Sequence, residues 1–172
     1  MKPTNACELE TERLRLCALT LDEMRFAAEN GIVEKVVNRD TFYLCVRQRG
    51  MTRAAYDRMK DQPAEVHPWY TVWVMVLKDG NEPVGVVGFD GLRGDGSTGI
   101  DYILSASHVG EGITSEAVPE LVRWAFARED CVRITGDAGR YNIGSQKVLE
   151  KSGFTLLREE EGRLYYELKC DK

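Results

Sequence analysis

The chain reads most clearly outward from Ile100-Asp-Tyr-Ile-Leu104-Ser-Ala-Ser-His-Val-Gly110-Glu-Gly112-Ile-Thr-Ser-Glu-Ala117. Ile100–Leu104 is a short β-branched and aromatic run and predicts a strand. Gly110-Glu-Gly112 then interrupts the pattern. From about Ile113 to Ala127, Ala117, Leu121, Trp124 and Ala125 share one helical face. A strand that ends in a glycine loop and runs into a helix bares the first N–H groups of that helix. Those donors and the helix dipole together favour an anion. Gly110 and Gly112 carry no side chain to hold a phosphate off the backbone. A glycine turn without a ligand would be spelled the same way. A P-loop requires Lys and then Ser or Thr after its last glycine, where Ile113-Thr114 stands. A dinucleotide fingerprint requires a third glycine where Ser115 stands. What remains is a short loop able to hold a diphosphate without a metal-ligating set.

Upstream, Arg13–Leu19 alternates polar and apolar residues and predicts a strand buried on one face. Thr20-Leu-Asp-Glu23 has capping-box spacing, so a helix starts there with Met24, Ala27 and Ala28 inward. The region from Gly31 to Pro68 mixes Val36, Val37, Phe42, Tyr43, Arg47 and Arg49; within it Met51–Lys60 reads as helix, stopped by Pro63 and Pro68. Thr71–Leu77 and Val84–Phe89, joined by a turn signalled by Asp79-Gly80, predict an antiparallel hairpin. Gly91–Gly99 holds four glycines and reads as a loop. Downstream, Cys131–Thr135 predicts a strand and Ile143–Lys151 a short helix closed by Gly153. Phe154–Arg158 and Arg163–Leu168 predict a final hairpin around Glu161-Gly162. Pro119 lies inside the long helix and predicts a kink in its first turns. The order of elements predicts an α/β sandwich with a mixed sheet that is not doubly wound.

A chain of 172 residues, 43% apolar and 30% charged, predicts one globular domain spanning residues 1–172. A net charge of −5 opposes a nucleic-acid partner, because phosphate backbones need a basic face. Five cysteines at wide spacing form no C-x-x-C pair, and His67 and His108 have no second ligand at metal spacing. Free thiols in a reducing cytoplasm and no metal site are therefore expected. The first residues, Met1-Lys-Pro-Thr-Asn-Ala-Cys-Glu8, contain no apolar run of a leader, and the longest such run, Val72–Leu77, is too short to cross a bilayer.

A second segment bears on chemistry: Asn142-Ile-Gly-Ser145-Gln-Lys-Val-Leu-Glu-Lys-Ser-Gly-Phe154. Asn142 can cap the helix, and Ser145 lies near the same face at its start. Both side chains can face a ligand or simply face water, with Val148 and Leu149 anchoring the helix either way. The two segments together resemble the GNAT superfamily of acetyl-CoA-dependent N-acetyltransferases. The branch they most resemble contains the ribosomal-protein alanine and serine N-terminal acetyltransferases. Thr11-Glu-Arg-Leu-Arg-Leu-Cys17, Gly110-Glu-Gly-Ile-Thr-Ser-Glu-Ala117, Trp124-Ala-Phe126 and Asn142 through Phe154 carry the likeness, which runs from Thr11 to about Leu168.

The resemblance implies a single-domain, mixed and largely antiparallel sheet flanked by helices. It also implies a splay between the fourth strand, Ile100–Leu104, and the fifth, Cys131–Thr135. Pantetheine would lie in that gap against the backbone near Ile103 and Leu104. The diphosphate would rest on the amides of Val109, Gly110, Glu111, Gly112, Ile113 and Thr114. Asn142 and Ser145 would face the thioester. The branch often has an acid where Gly99 stands, and this chain has one at Asp101 instead; the superfamily often has Gln or Arg where Ser107 stands.

The implied reaction is attack of an amine on the thioester carbonyl through a tetrahedral intermediate, with no metal. An α-amino group, pKa about 7.7–8.0, is partly neutral at physiological pH, whereas a lysine amine at about 10.4 is not. A carboxylate acting through water suffices as base for the former, and Asp101 is the candidate. A backbone N–H near Leu104 would hold the oxyanion. A hydroxyl donor near the sulfur would assist departure of the thiolate, whose pKa resembles the about 8.5 of cysteine, and the resemblance gives that role to Ser145. The acceptor is a protein N-terminus or a small-molecule amine. A polyamine, an aminoglycoside or an amino acid fits the same fold, as does a silent acyl-CoA sensor. The segment from Gly31 to Tyr70 is expected to shape the acceptor pocket of a cytoplasmic monomer or homodimer.

Overall fold

The computed structural model of the chain describes residues 7–30 and 46–171. Its strands are β1 Glu8–Glu10, β2 Leu14–Ala18, β3 Val72–Leu77, β4 Glu82–Phe89, β5 Ser97–Leu104, β6 Arg133–Gly139, β7 Thr155–Glu160 and β8 Arg163–Lys169. Its α-helices are α1 Leu21–Asn30, α2 Val46–Met59, α3 Ile113–Phe126 and α4 Ile143–Lys151. The strands form one sheet in the order β1-β2-β3-β4-β5-β6-β8-β7. Every described pairing is antiparallel except β5 with β6. The α/β class and the mixed, largely antiparallel sheet therefore agree with the sequence reading. Val36, Val37, Phe42 and Tyr43, and the side chains of Arg47 and Arg49, lie outside the described residues.

Local chemistry accounts for most of these elements. The Glu23 N–H donates to Thr20 Oγ1 at 3.4 Å and the Thr20 N–H to Glu23 Oε2 at 2.8 Å, closing the capping box that starts α1. β3 is apolar throughout because both of its faces are covered. Trp73 and Met75 join a core with α3, while Val72, Val74 and Val76 join a second core with Met24 and Ala27 of α1 and Ala55 and Met59 of α2. Trp124 of α3 anchors the first core, with ring centroids 4.8 Å from Trp69 and 5.3 Å from Trp73. Glu161 and Gly162 both take positive φ, 49° and 76°, which makes the tight turn between β7 and β8.

Several boundaries differ from the sequence reading, among them the starts of α2 at Val46 and of β4 at Glu82. β1 adds a first strand, since Glu8–Glu10 pairs with β2 although three residues carry no readable pattern. β5 starts at Ser97, inside the stretch read as a glycine loop, because Ser97–Gly99 pairs with β6 on one side and accepts the N–H groups of Asp90 and Arg93 on the other. β6 starts two residues later than expected and runs on to Gly139, where pairing with β8 outweighs the low strand preference of Gly136 and Gly139. α3 runs through Pro119 without a break in its helical assignment.

The sheet parts in the middle. β5 and β6 pair for three residues only, from Ser97↔Arg133 to Gly99↔Thr135. Farther on, β5 stays with β4 and β6 stays with β8, so the two strands diverge. This is the splay expected between the fourth and fifth strands, renumbered because of β1.

Candidate active site

The parting strands open a cavity of about 1350 Å³. Strand register shows which backbone groups enter it. Asp90 N–H donates to Gly99 C=O at 3.0 Å and Ser105 N–H to Val84 C=O at 2.7 Å, so the odd-numbered residues of β5 bond toward β4. Tyr102 and Leu104, past the last pairing with β6, alternate with them and face the gap, where the Asp101 carboxylate takes the Tyr102 N–H. The Leu104 backbone therefore faces the gap. Ile103 is a correction: its backbone pairs with Val86 on β4, and only its side chain reaches the cavity wall.

At the mouth of the gap stands the glycine loop. Gly112 is the N-cap of α3 with φ 75°, and the first helical bond runs from Glu116 N–H to Gly112 C=O at 3.1 Å. Among the described residues, the N–H groups of Gly110, Gly112, Ile113, Thr114 and Ser115 have no acceptor. Gly110, with φ 93°, has open space where a Cβ would point. Val109, Gly110, Gly112, Ile113 and Thr114 all line the cavity. Glu111 is the second correction: its N–H turns to His108 C=O at 3.4 Å and its carboxylate meets His108 Nδ1 at 3.0 Å. The diphosphate reading therefore rests on the loop without Glu111. His108 also faces Glu82, and its pKa is raised above the ordinary value, first by the bond to Glu111 and then by Glu82.

α4 closes the far wall. Asn142 Oδ1 accepts the Ser145 N–H at 3.1 Å, which is the N-cap of α4. Asn142 and Ser145 both line the cavity. Sequence reasoning missed what ties this wall to β5. The Tyr102 hydroxyl donates to Ser145 C=O at 3.0 Å across the gap. Burial pushes the Tyr102 phenol well above its ordinary pKa, so it remains a donor at neutral pH.

Two carboxylates matter on the opposite sheet face. Asp101 is exposed, lines the cavity, and accepts the Tyr102 N–H at 2.9 Å, which turns its carboxylate toward the gap. Asp90 was not singled out by sequence. It accepts the Gly99 N–H at 2.7 Å and pairs with Arg93 at 2.6 Å. A Cβ on Gly99 would lie 2.8 Å from Asp90 Oδ2. Asp90 thus fills the space where a side chain at position 99 would begin. The signal lay in the hairpin register: Phe89↔Ile100 sets Asp90 opposite Gly99.

Burial, followed by the charge of Glu8, pushes the Cys17 thiol up to about 11. Among the described residues no group of three or more His, Cys, Asp or Glu is placed to hold a metal, and no helix is long and apolar enough to cross a membrane.

Comparison with known proteins bears on the same region. Residues 13–155 match the acetyltransferase (GNAT) domain family. The uncharacterized N-acetyltransferase YjdG of Bacillus subtilis (strain 168) is 42% identical over 85 residues, which is 49% of this chain and 51% of that protein. The match therefore spans about half the length of that relative. Among solved structures, the ribosomal-protein-S5-alanine acetyltransferase of Vibrio fischeri superposes with a TM-score of 0.68 at 17% identity, covering 96% of this chain and 97% of that one. The ribosomal L7/L12 α-N-protein acetyltransferase RimL in complex with coenzyme A gives 0.66 at 16% identity, covering 96% and 99%. At such identities these structures speak to the fold alone. The parted sheet and the bared loop agree with the matched sequence family, and the chain belongs to the GNAT acetyltransferases.

Proposed function

We propose that this chain transfers the acetyl group of acetyl-CoA to a primary amine, a protein N-terminus or a small-molecule amine, by direct attack. The observation that carries the reading is the set of N–H groups of Gly110, Gly112, Ile113, Thr114 and Ser115, without acceptors among the described residues, at the mouth of a gap between parted strands. A diphosphate on those amides directs the pantetheine arm along β5, toward the backbone of Tyr102 and Leu104. The N–H of Leu104 faces the gap and stabilises the oxyanion of the tetrahedral intermediate. The Ser145 hydroxyl donates a hydrogen bond that stabilises the departing thiolate, which takes its proton from solvent. The cavity exceeds the roughly 300–1,000 Å³ of a single small-ligand pocket, which leaves room for an acceptor beside the cosubstrate.

Asp101 takes the proton of the attacking amine, directly or through water. Asp90 is not the candidate, because its carboxylate is already engaged by the Arg93 guanidinium and the Gly99 N–H. In Asp101→Asn, kcat/KM at neutral pH falls roughly 10²-fold. The loss narrows as pH rises, because an amine that is already neutral needs no base. Met51, Ala54 and Arg58 of α2 line the acceptor side of the cavity.

The test is mass spectrometry of products after incubation with acetyl-CoA and a mixture of peptides, polyamines, aminoglycosides and amino acids. Acetylated peptide N-termini or small amines support the reading. Tight acetyl-CoA binding with no acetylated amine would replace it with a silent acyl-CoA sensor.

A further inference from the structure

Arg13 lies outside the cavity, about a hundred positions from the loop in sequence, yet three of its donors converge behind that loop. Its Nη1 donates to Glu111 C=O at 3.0 Å, its Nε to Glu116 Oε2 at 2.7 Å, and its backbone N–H to Glu116 Oε1 at 2.8 Å. Thr11 Oγ1 adds a further bond to Glu116 Oε1. Burial acts to raise the Glu116 pKa, but the donors from Thr11 and Arg13 outweigh it and hold the carboxyl below its ordinary range. Glu116 therefore remains an anion that fixes the guanidinium in one place.

The consequence concerns one peptide plane. In a trans peptide the C=O of one residue and the N–H of the next point in opposite directions. Arg13 holds the Glu111 carbonyl on the β2 side, so the Gly112 N–H is turned to the other side. Gly112 lines the cavity, whereas Arg13 and Glu111 do not. Gly112 has φ 75° and is flanked by Gly110 at φ 93°, so the loop itself has little stiffness to keep that plane in place.

We propose that Arg13 is a positioning residue for coenzyme A: fixed by Glu116, it aims the Gly112 N–H at the diphosphate without touching it. This rests on the reading that the loop amides hold the diphosphate. It assigns a task to the Thr11-Glu-Arg13 segment that contact with the ligand would not reveal.

The test joins calorimetric titration of coenzyme A with amide proton–nitrogen spectra of the full chain. In the wild type, coenzyme A moves the Gly112 amide proton downfield. Arg13→Ala weakens coenzyme A about tenfold. At saturation its Gly112 shift shrinks, while the Leu104 amide still moves as in the wild type. Arg13→Lys keeps the charge near Glu116 but lacks the planar fork, and gives a smaller change of the same kind, which serves if the alanine variant does not fold. Unchanged affinity, or weaker binding with the full Gly112 shift, overturns the proposal alone. A wild-type chain that binds coenzyme A without moving any amide from Gly110 to Ser115 overturns the loop reading and this inference with it.

Discussion

Under the proposed function, Ser145 has two separable tasks. Its backbone is spent on structure: the N–H caps onto Asn142, and the C=O receives the Tyr102 hydroxyl. Its own hydroxyl has no hydrogen-bond partner among the described residues and stands in the cavity wall. Removing that hydroxyl leaves both backbone bonds in place. Ser145→Ala is therefore expected to lower kcat roughly 10²-fold while KM for acetyl-CoA changes little. Steady-state kinetics with acetyl-CoA varied at saturating acceptor checks this, and equal losses in kcat and cofactor affinity would count against its hydrogen bond to the departing sulfur. Asp101 and Asp90 divide labour in a comparable way. One carboxylate is held by a single N–H beside the gap, and the other is neutralised by Arg93 while filling the space over Gly99.

The glycine loop and its first helical turn work as a unit. Gly110 has φ 93° and nothing in contact where a Cβ would be. A valine there is strained by about 1–3 kcal/mol and points into the cavity. Gly110→Val is expected to abolish detectable acetyl-CoA binding by calorimetry while the chain still folds, and normal affinity would remove the loop from the site. The other end of the loop is tied by His108 to Glu111 and Glu82. Because the folded His108 pKa is raised, this tie is fully formed below the ordinary value of about 6.5 and is lost as pH climbs through the raised one. Acetyl-CoA affinity should therefore weaken from neutral to mildly alkaline pH. The same titration of His108→Gln should be flat over that window.

Across the whole molecule, the site exists because one sheet changes partners at its centre. β5 leaves β6 after Gly99, and the gap is held open by β4 on one side and β8 on the other. Both cores back this arrangement, one packed by α3 and one by α1 and α2. A ligand that bridges the halves binds only the folded chain. At a hundredfold excess over its Kd, acetyl-CoA adds about 2.7 kcal/mol of stability. Thermal unfolding should then shift upward by roughly 5–10 °C for a chain of this length. Free acetate at the same concentration should produce no shift.

Local chemistry alone was enough for a large part of this protein. Alternating β-branched residues marked β3 and β4, Thr20 and Glu23 marked the start of α1, and Asn142 and Gly153 marked the two ends of α4. Gly110 and Gly112 before an apolar helical face marked the loop, because a bared helix start is a property of neighbouring residues. Tertiary structure decided the rest. β1, the start of β5 at Ser97 and the extension of β6 to Gly139 depend on a partner strand rather than on their own side chains. The position of Asp90 over Gly99, the turn of Glu111 onto His108 and the hold of Arg13 on Glu116 and Glu111 depend on which backbone groups face which neighbour. Such contacts join segments as much as 103 residues apart, and hydrogen-bond direction across that separation leaves no periodicity in the chain for a reader to find.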